Sequence, residues 1–457
     1  MTLSALRERT AQWFDRSNNR RILAAALIVG GMSVVVKLTA MAKELMVAYR
    51  FGTGDEVDAF LMAFVLPALL INVVTGSISA AFAPVYVDVR EKKGRSDAVE
   101  LMSSAAAGSA ALVLGVSCAL VLGTPLLQLL ATGFGAAKLQ LTRALFLILL
   151  PILALNVFVA LWSATLNCEG QFAVAALAPV SVPLLILCMI LVTARSWGVY
   201  SLAIGTVLGY ALQCGLLAIA LRKTKIPISP RWHGMTPDLK RILRQYMPLM
   251  ASAILTSGSW AIGQAMAASL PAGSVAALNY GNKIPAVVTE ITSLAIATAV
   301  LPHFSLMVAR REWLAIRHTV WAYGRLMAVV TIPLTLIGIW LSPTVIHLLF
   351  ERGAFSSTDT RTVAAVQSLY LLQVPFVMIG MLFVRLASSL RRNEIFVLGA
   401  AITLPLNIGM NAWFMRSFGV AGIALATSVV YLVSCTYLFI AVGRAMRAIE
   451  RTTPHTQ

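Results

Sequence analysis

The second half of this chain repeats the spacing of helix-breaking residues found in its first half. Pro67, Pro84 and Pro125 recur as Pro285, Pro302 and Pro343, at one constant offset of about 218 residues. After one loop lengthens slightly, Pro151 matches Pro375 and, with small slips, Pro183 matches Pro405. Gly198, Val199 and Tyr210 likewise return as Gly419, Val420 and Tyr431. Proline removes a backbone donor and clashes with the preceding turn, so it marks a fixed place in a helical layout better than an interchangeable Leu or Val. An ordered series of such marks along both halves implies a duplicated unit.

That unit is built for lipid. Hydrophobic residues make up 59% of the 457 residues and charged residues 12%, with a mean hydropathy of +0.84. This composition excludes a soluble globular chain and a disordered one. Apolar runs of about 20 residues predict twelve membrane helices, near 22–49, 59–86, 98–122, 139–166, 172–194, 199–221, 242–269, 273–303, 315–342, 363–390, 394–414 and 419–443. Six helices per half is an even number, so both halves enter the bilayer from the same side and form parallel repeats. The expected fold is an all-α polytopic membrane protein of two six-helix lobes. Residues 1–21 form a cytoplasmic N-terminal segment, 22–222 the N-lobe, 223–245 a basic cytoplasmic linker, 246–446 the C-lobe and 447–457 a cytoplasmic tail.

A net charge of +18 would suit nucleic acid, but its placement points to topology instead. Arg7, Arg9, Arg16, Arg20 and Arg21 precede the first span, and Arg90, Lys92, Lys93 and Arg95 follow the second. The linker between the halves is basic from Arg222 to Arg244, and Arg310, Arg311, Arg317, Arg391, Arg392, Arg444, Arg447 and Arg451 fall in later loops of the same side. The opposite loops hold scattered cations such as Arg50, Lys138, Arg195 and Arg416. Cytoplasmic loops collect Lys and Arg, so both termini are expected inside a bacterial inner membrane, with anionic lipids as neighbours. Residues 1–21 are too charged for a secretory signal peptide and lack a cleavage pattern.

Catalytic and cofactor chemistry finds no support. The five Cys and five His are scattered, without metal-ligand or disulfide spacing, and no Gly-rich nucleotide loop or nucleophile triad is present. No cofactor and no metal are expected, and transport is not driven by a nucleotide bound to this chain.

Charges inside the spans are the informative exceptions, because an ionisable group at the bilayer centre costs roughly 2.5 to 3.5 kcal/mol on insertion scales. The first predicted helix carries Lys37, Lys43 and Glu44, and the eighth carries Lys283 and Glu290. Lys37 to Glu44 and Lys283 to Glu290 each span two helical turns, which puts each cation and carboxylate on about the same face. Lys37 and Lys283 lie deep. Lys43 and Glu44 lie nearer the outer loop, and Arg325 and Arg385 snorkel at cytoplasmic ends. Asp55, Glu56 and Asp58, in the first outer loop, are solvated or cap a helix, with Asp58 placed to order the start of the second span.

Three strings resemble the MviN/MurJ lipid II flippase family. The stretch from Lys37 to Leu70, which contains F-G-T-G-D-E-V-D-A-F and P-A-L-L, is similar to that family's opening. Y-G-N-K-I-P with T-A-V-L-P-H-F-S, from Tyr280 to Ser305, and F-E-R-G-A-F-S-S-T-D-T, ending at Thr360, follow in the family's order. The resemblance implies a V-shaped pair of lobes alternating access to a central cavity, and outward movement of a polyprenyl-diphosphate-linked saccharide. Through it the family's cavity arginines correspond to Lys37, Lys43 and Lys283, its acidic partner to Glu44 and its first-loop Asp to Asp58. Lys lacks the planar fork with which Arg grips a diphosphate. After Pro67 this chain reads Ile71 to Ser77, with neither the Arg pair nor the Glu expected there, and twelve spans are two fewer than typical members carry.

The expected activity is therefore that of a flippase, not an enzyme, for lipid II or an exopolysaccharide repeat unit, with glycan-assembly proteins as partners. An organic-cation antiporter of the same fold is disfavoured by the excess of cations over carboxylates. A polytopic glycosyltransferase or polymerase using Asp55, Glu56 or Asp58 is disfavoured by short outer loops that offer no sugar-binding domain.

Overall fold

The computed structural model describes residues 18–122, 125–390, 392 and 394–452, and these are mostly helical, with turns and the 224–236 linker between helices and no strand among them. The elements are α1 (Asn18–Phe51), α2 (Asp55–Leu70), a π-helical segment (Ile71–Gly76), α3 (Ser77–Lys93), α4 (Arg95–Leu122), α5 (Pro125–Leu130), α6 (Ala136–Leu149), α7 (Pro151–Cys168) and α8 (Phe172–Leu177). A 3₁₀ turn (Ala178–Val180) leads into α9 (Ser181–Trp197) and α10 (Tyr200–Lys223). The second half comprises α11 (Pro237–Ala268), α12 (Ser274–Ala309), α13 (Trp313–Phe350), α14 (Ser357–Leu371), α15 (Gln373–Ser389), α16 (Glu394–Phe418) and α17 (Val420–Thr452).

Joined end to end across their proline breaks, these helices make twelve rods, one for each expected span. Nine rods among the described residues carry a stretch apolar enough to cross a membrane, and the other three, α1, α11 and α12, are 34, 32 and 36 residues long. The prolines act as the sequence predicts. Pro67 frees a carbonyl within α2, and the π-helical turn that follows re-spaces the ladder, with the Thr75 hydroxyl donating to the Ile71 carbonyl.

The chain divides into two compact units whose boundaries cut across the repeat. The first holds residues through Val47, Ala63–Leu127 and Gln140–Ile254; the second holds Ala48–Met62, Gln128–Leu139 and everything from Leu255 onward. Two short segments of the first half thus belong to the second unit.

Lipid tails are as apolar as Leu, so helices in a bilayer associate through close packing and not through hydrophobic exclusion. In the first unit Gly205 and Gly209, one turn apart on α10, let its backbone touch α9: a Cβ at Gly209 would sit 2.6 Å from the Cα of Val182. The Ser181 hydroxyl crosses the same contact to the Gly209 carbonyl at 3.1 Å. In the second unit the core gathers Phe304, Ile316, Met378, Leu382, Leu386 and Val442 from α12, α13, α15 and α17.

Candidate functional site

On α1, in the first unit, Lys43 Nζ donates to Glu44 Oε1 at 2.7 Å, with both side chains largely buried. Adjacent helical residues do not face each other, so the long lysine stem must fold back to reach its neighbour. Lys37, expected to be a buried cation, is exposed, as are Val34, Val35 and Leu38 beside it. Exposed and half-buried residues alternate along this stretch of α1, a degree of burial that spacing along one helix could not reveal.

On α12, in the second unit, Lys283 is half-buried and Glu290 is exposed two turns further on. Glu290 lines a cavity of about 460 Å³ inside that unit, whose walls are part polar and part apolar. Gln264, Asn282, Gln373, Asn407 and Asn411 project into it with Thr289 and Thr427. Asn411 donates to Asn407 Oδ1 at 3.0 Å, while among the described residues no donor reaches the buried side-chain carbonyl oxygens of Gln264 and Asn411. A scan for charges passes over these neutral amides. Their signal was Asn407 and Asn411 four residues apart in an apolar run, one face of one helix.

The first-half segments inside the second unit converge on Asp58. It is 1% exposed, and both its oxygens are occupied. Oδ1 accepts from Ala276 N at 2.8 Å, and Oδ2 accepts from Gly273 N at 2.7 Å and from Lys138 Nζ at 2.9 Å. Asp58 therefore caps the N-terminus of α12, where free N–H groups and the helix dipole favour an anion. It does not order its own helix's start, and its cation is Lys138, not one of the three candidate lysines. Ala276 is the repeat counterpart of Asp58, so the bond joins equivalent positions of the two halves. Lys138 also binds Asp55 at 2.6 Å and lies 4.1 Å from the centre of the Phe134 ring. A carboxylate so occupied is not available as a catalytic base.

Around this hub the motif residues pack backbone to backbone. Ala354 N donates to Tyr49 O at 2.8 Å, Thr53 Oγ1 donates to Asp359 Oδ1, and Tyr280 OH donates to Gly52 O at 3.4 Å. Gly273 and Gly353 take left-handed backbones, φ +86° and +64°, where an added Cβ would overlap Thr53 O or Tyr49 O. Asp359 and Ser356 form a reciprocal capping box at the start of α14. Glu351 lies 2.8 Å from His347 Nδ1 and accepts from Thr360 Oγ1 at 2.6 Å, bonds that hold its carboxyl below the usual range. Strings that stand far apart in sequence, F-G-T-G-D-E-V-D, Y-G-N-K and R-G-A-F-S-S-T-D-T, thus meet at one end of the second unit. Among the described residues no group of three or more His, Cys, Asp or Glu is arranged to hold a metal.

A duplicated array of membrane rods with charged groups on the first helix of one half and the second of the other defines a multi-pass membrane transporter. The family model described as lipid II flippase MurJ matches residues 47–456, and the chain belongs to that family. A probable lipid II flippase MurJ of Synechocystis sp. is 25% identical over 95% of this chain and 84% of its own length. The Vibrio cholerae protein of the same description is 26% identical over 93% and 84%. Among solved structures, a lipid II flippase MurJ in an inward closed conformation aligns over 92% of this chain and 89% of its own, at a TM-score of 0.79 and 22% identity. An inward-facing multidrug resistance MATE family transporter aligns over 94% and 100%, at 0.75 and 17%. At those identities the structural likenesses show the fold.

Proposed function

We propose that this protein is a lipid II flippase of the bacterial inner membrane, moving the polyprenyl-diphosphate-linked precursor outward by alternating access. The observation that carries the proposal is the family match along nearly the whole chain, reinforced by the meeting in one unit of the F-G-T-G-D-E-V-D part of the first string with the other two. Lys37, Lys43 and Lys283 supply cations to the diphosphate at stages of its passage, and Glu44 and Glu290 hold positive charge in place between substrates. Lysine meets a diphosphate as a point charge without a bidentate fork. Both termini face the cytoplasm, the side of the basic loops. Cysteines introduced at exposed Ser229 and Ser357 test this orientation: reagent outside the cell should label the second and not the first.

An inside-negative membrane potential favours anion exit by about 2.3 kcal/mol per charge per 100 mV, enough to drive a doubly charged head group without a titrating carboxylate. A second scheme, ion coupling, is favoured by Glu290 lining a cavity with Gln264 and Asn411 oxygens that no donor among the described residues reaches. Collapsing the potential with valinomycin and potassium while keeping a pH gradient should stop potential-driven flipping and spare ion-coupled flipping.

The test of the function is complementation. Expression should rescue a strain depleted of its lipid II flippase, and Lys283→Gln at normal protein level should not. Failure of the wild-type chain to rescue, with rescue instead of a strain lacking an exopolysaccharide flippase, would assign the other glycan.

A further inference from the structure

On the second unit α13, α15 and α17 enclose a groove of about 920 Å³ that the transport scheme leaves unused. Its walls are apolar and aromatic, with Trp321, Phe376, Phe383 and Phe439 prominent and His318 and Arg325 at one end. His318, Trp321 and Arg325 follow at three and seven residues along α13, so they share one face. Phe439 stacks edge-on against both Trp321 and Phe383, with ring centres 6.3 and 5.6 Å apart.

The sequence places this groove relative to the bilayer. From Leu326 to Ile346 α13 holds no charged residue, a run able to cross a hydrocarbon core of about 30 Å. Arg325 stands at the edge of that run, at the level where Trp also settles. Phe376 lies seven residues beyond Phe383 on α15, so the apolar part runs about 10 Å inward. That depth lies within one leaflet, about half of a 30 Å core. Among the described residues neither Arg325 nor His318 has a hydrogen-bond or ion-pair partner, so two donors stand uncompensated where a phosphate would sit.

We propose that this groove is a binding site for an anionic glycerophospholipid, its phosphate held by Arg325 and His318 and an acyl chain laid past Phe383 and Phe376. Basic pockets between membrane helices collect such head groups on the cytoplasmic side. Snorkelling alone would place Arg325 in water beside any lipid, whereas this site discriminates head-group charge and needs an open groove.

Native mass spectrometry of the full chain in detergent, titrated separately with dioleoylphosphatidylglycerol, dioleoylphosphatidylcholine and undecaprenyl phosphate, tests the proposal. The wild type should retain one phosphatidylglycerol in preference to the other two. Arg325→Gln should weaken that retention about fivefold, the scale of one basic residue near an anionic surface, and Arg325→Lys should restore most of it. Ala328→Trp, which fills the groove and leaves the cations in place, should weaken it as well and keeps the test informative if Arg325→Gln misfolds. Equal retention of phosphatidylcholine, preferential retention of undecaprenyl phosphate, a co-purifying polypeptide without lipid, or unchanged retention in Ala328→Trp would each overturn the proposal.

Discussion

Two junctions tie first-half residues to second-half helices, and they are built from opposite materials. In the second unit Asp58 is sealed from solvent and bonded to two backbone amides of α12 and to Lys138. In the first unit the end of α3 meets the start of α11 through Arg241 to Asp88 at 2.5 Å and Lys93 to Asp238 at 2.6 Å, with the basic side chains about half exposed. A buried carboxylate whose bonds are removed strands its donors, whereas an exposed pair exchanges its partner for water at small cost. The contrast suits a machine with one junction that holds its shape and one that opens readily.

The largest expected effect follows from breaking the buried junction. Asp58→Ala removes the cap of α12, strands the Gly273 and Ala276 amides and leaves Lys138 paired with Asp55, and losing one partner of a buried pair costs about 3 to 5 kcal/mol. Thermal unfolding in detergent should register it as the greatest loss of the set. The Asp58→Ala/Lys138→Ala double variant should be less destabilised than the sum of the single ones, since the Asp58–Lys138 bond is then lost once and not counted twice. Gly273→Ala comes next: a left-handed backbone costs about 1 to 3 kcal/mol for a residue with a Cβ, and this one would also overlap the Thr53 carbonyl. Lys93→Ala should shift the melting temperature least, and the shift should disappear at 1 M salt, where screening acts within about 3 Å. A salt-insensitive loss at Lys93 as large as that at Asp58 would erase the contrast.

The twelve rods were legible because proline spacing and apolar length are local properties, read without knowing what packs where. Asp58 was legible as a capping residue but not as the cap of a helix 215 residues away, since an N-cap is recognised from its own neighbours and this one serves the other half of the repeat. The repeat offset contained the answer: position 58 counts forward to Ala276, the residue it bonds. Lys37 and Glu44 share a face by two-turn spacing, and Lys43, the immediate neighbour of Glu44, reaches it as well, because a flexible lysine stem is not bound by helical geometry. The neutral amides around Asn407 and Asn411 escaped a search keyed to charge, although buried amides also demand partners.

The proposed function assigns cations the task of meeting a diphosphate, and reconstituted flipping tests this most directly. Vesicles holding the purified protein and fluorescent lipid II, under an imposed potential, should show translocation that the Lys283→Gln variant loses while its melting temperature stays near that of the wild type. Undiminished flipping by folded Lys283→Gln, or the absence of lipid II translocation by the folded wild type at any potential, would contradict it.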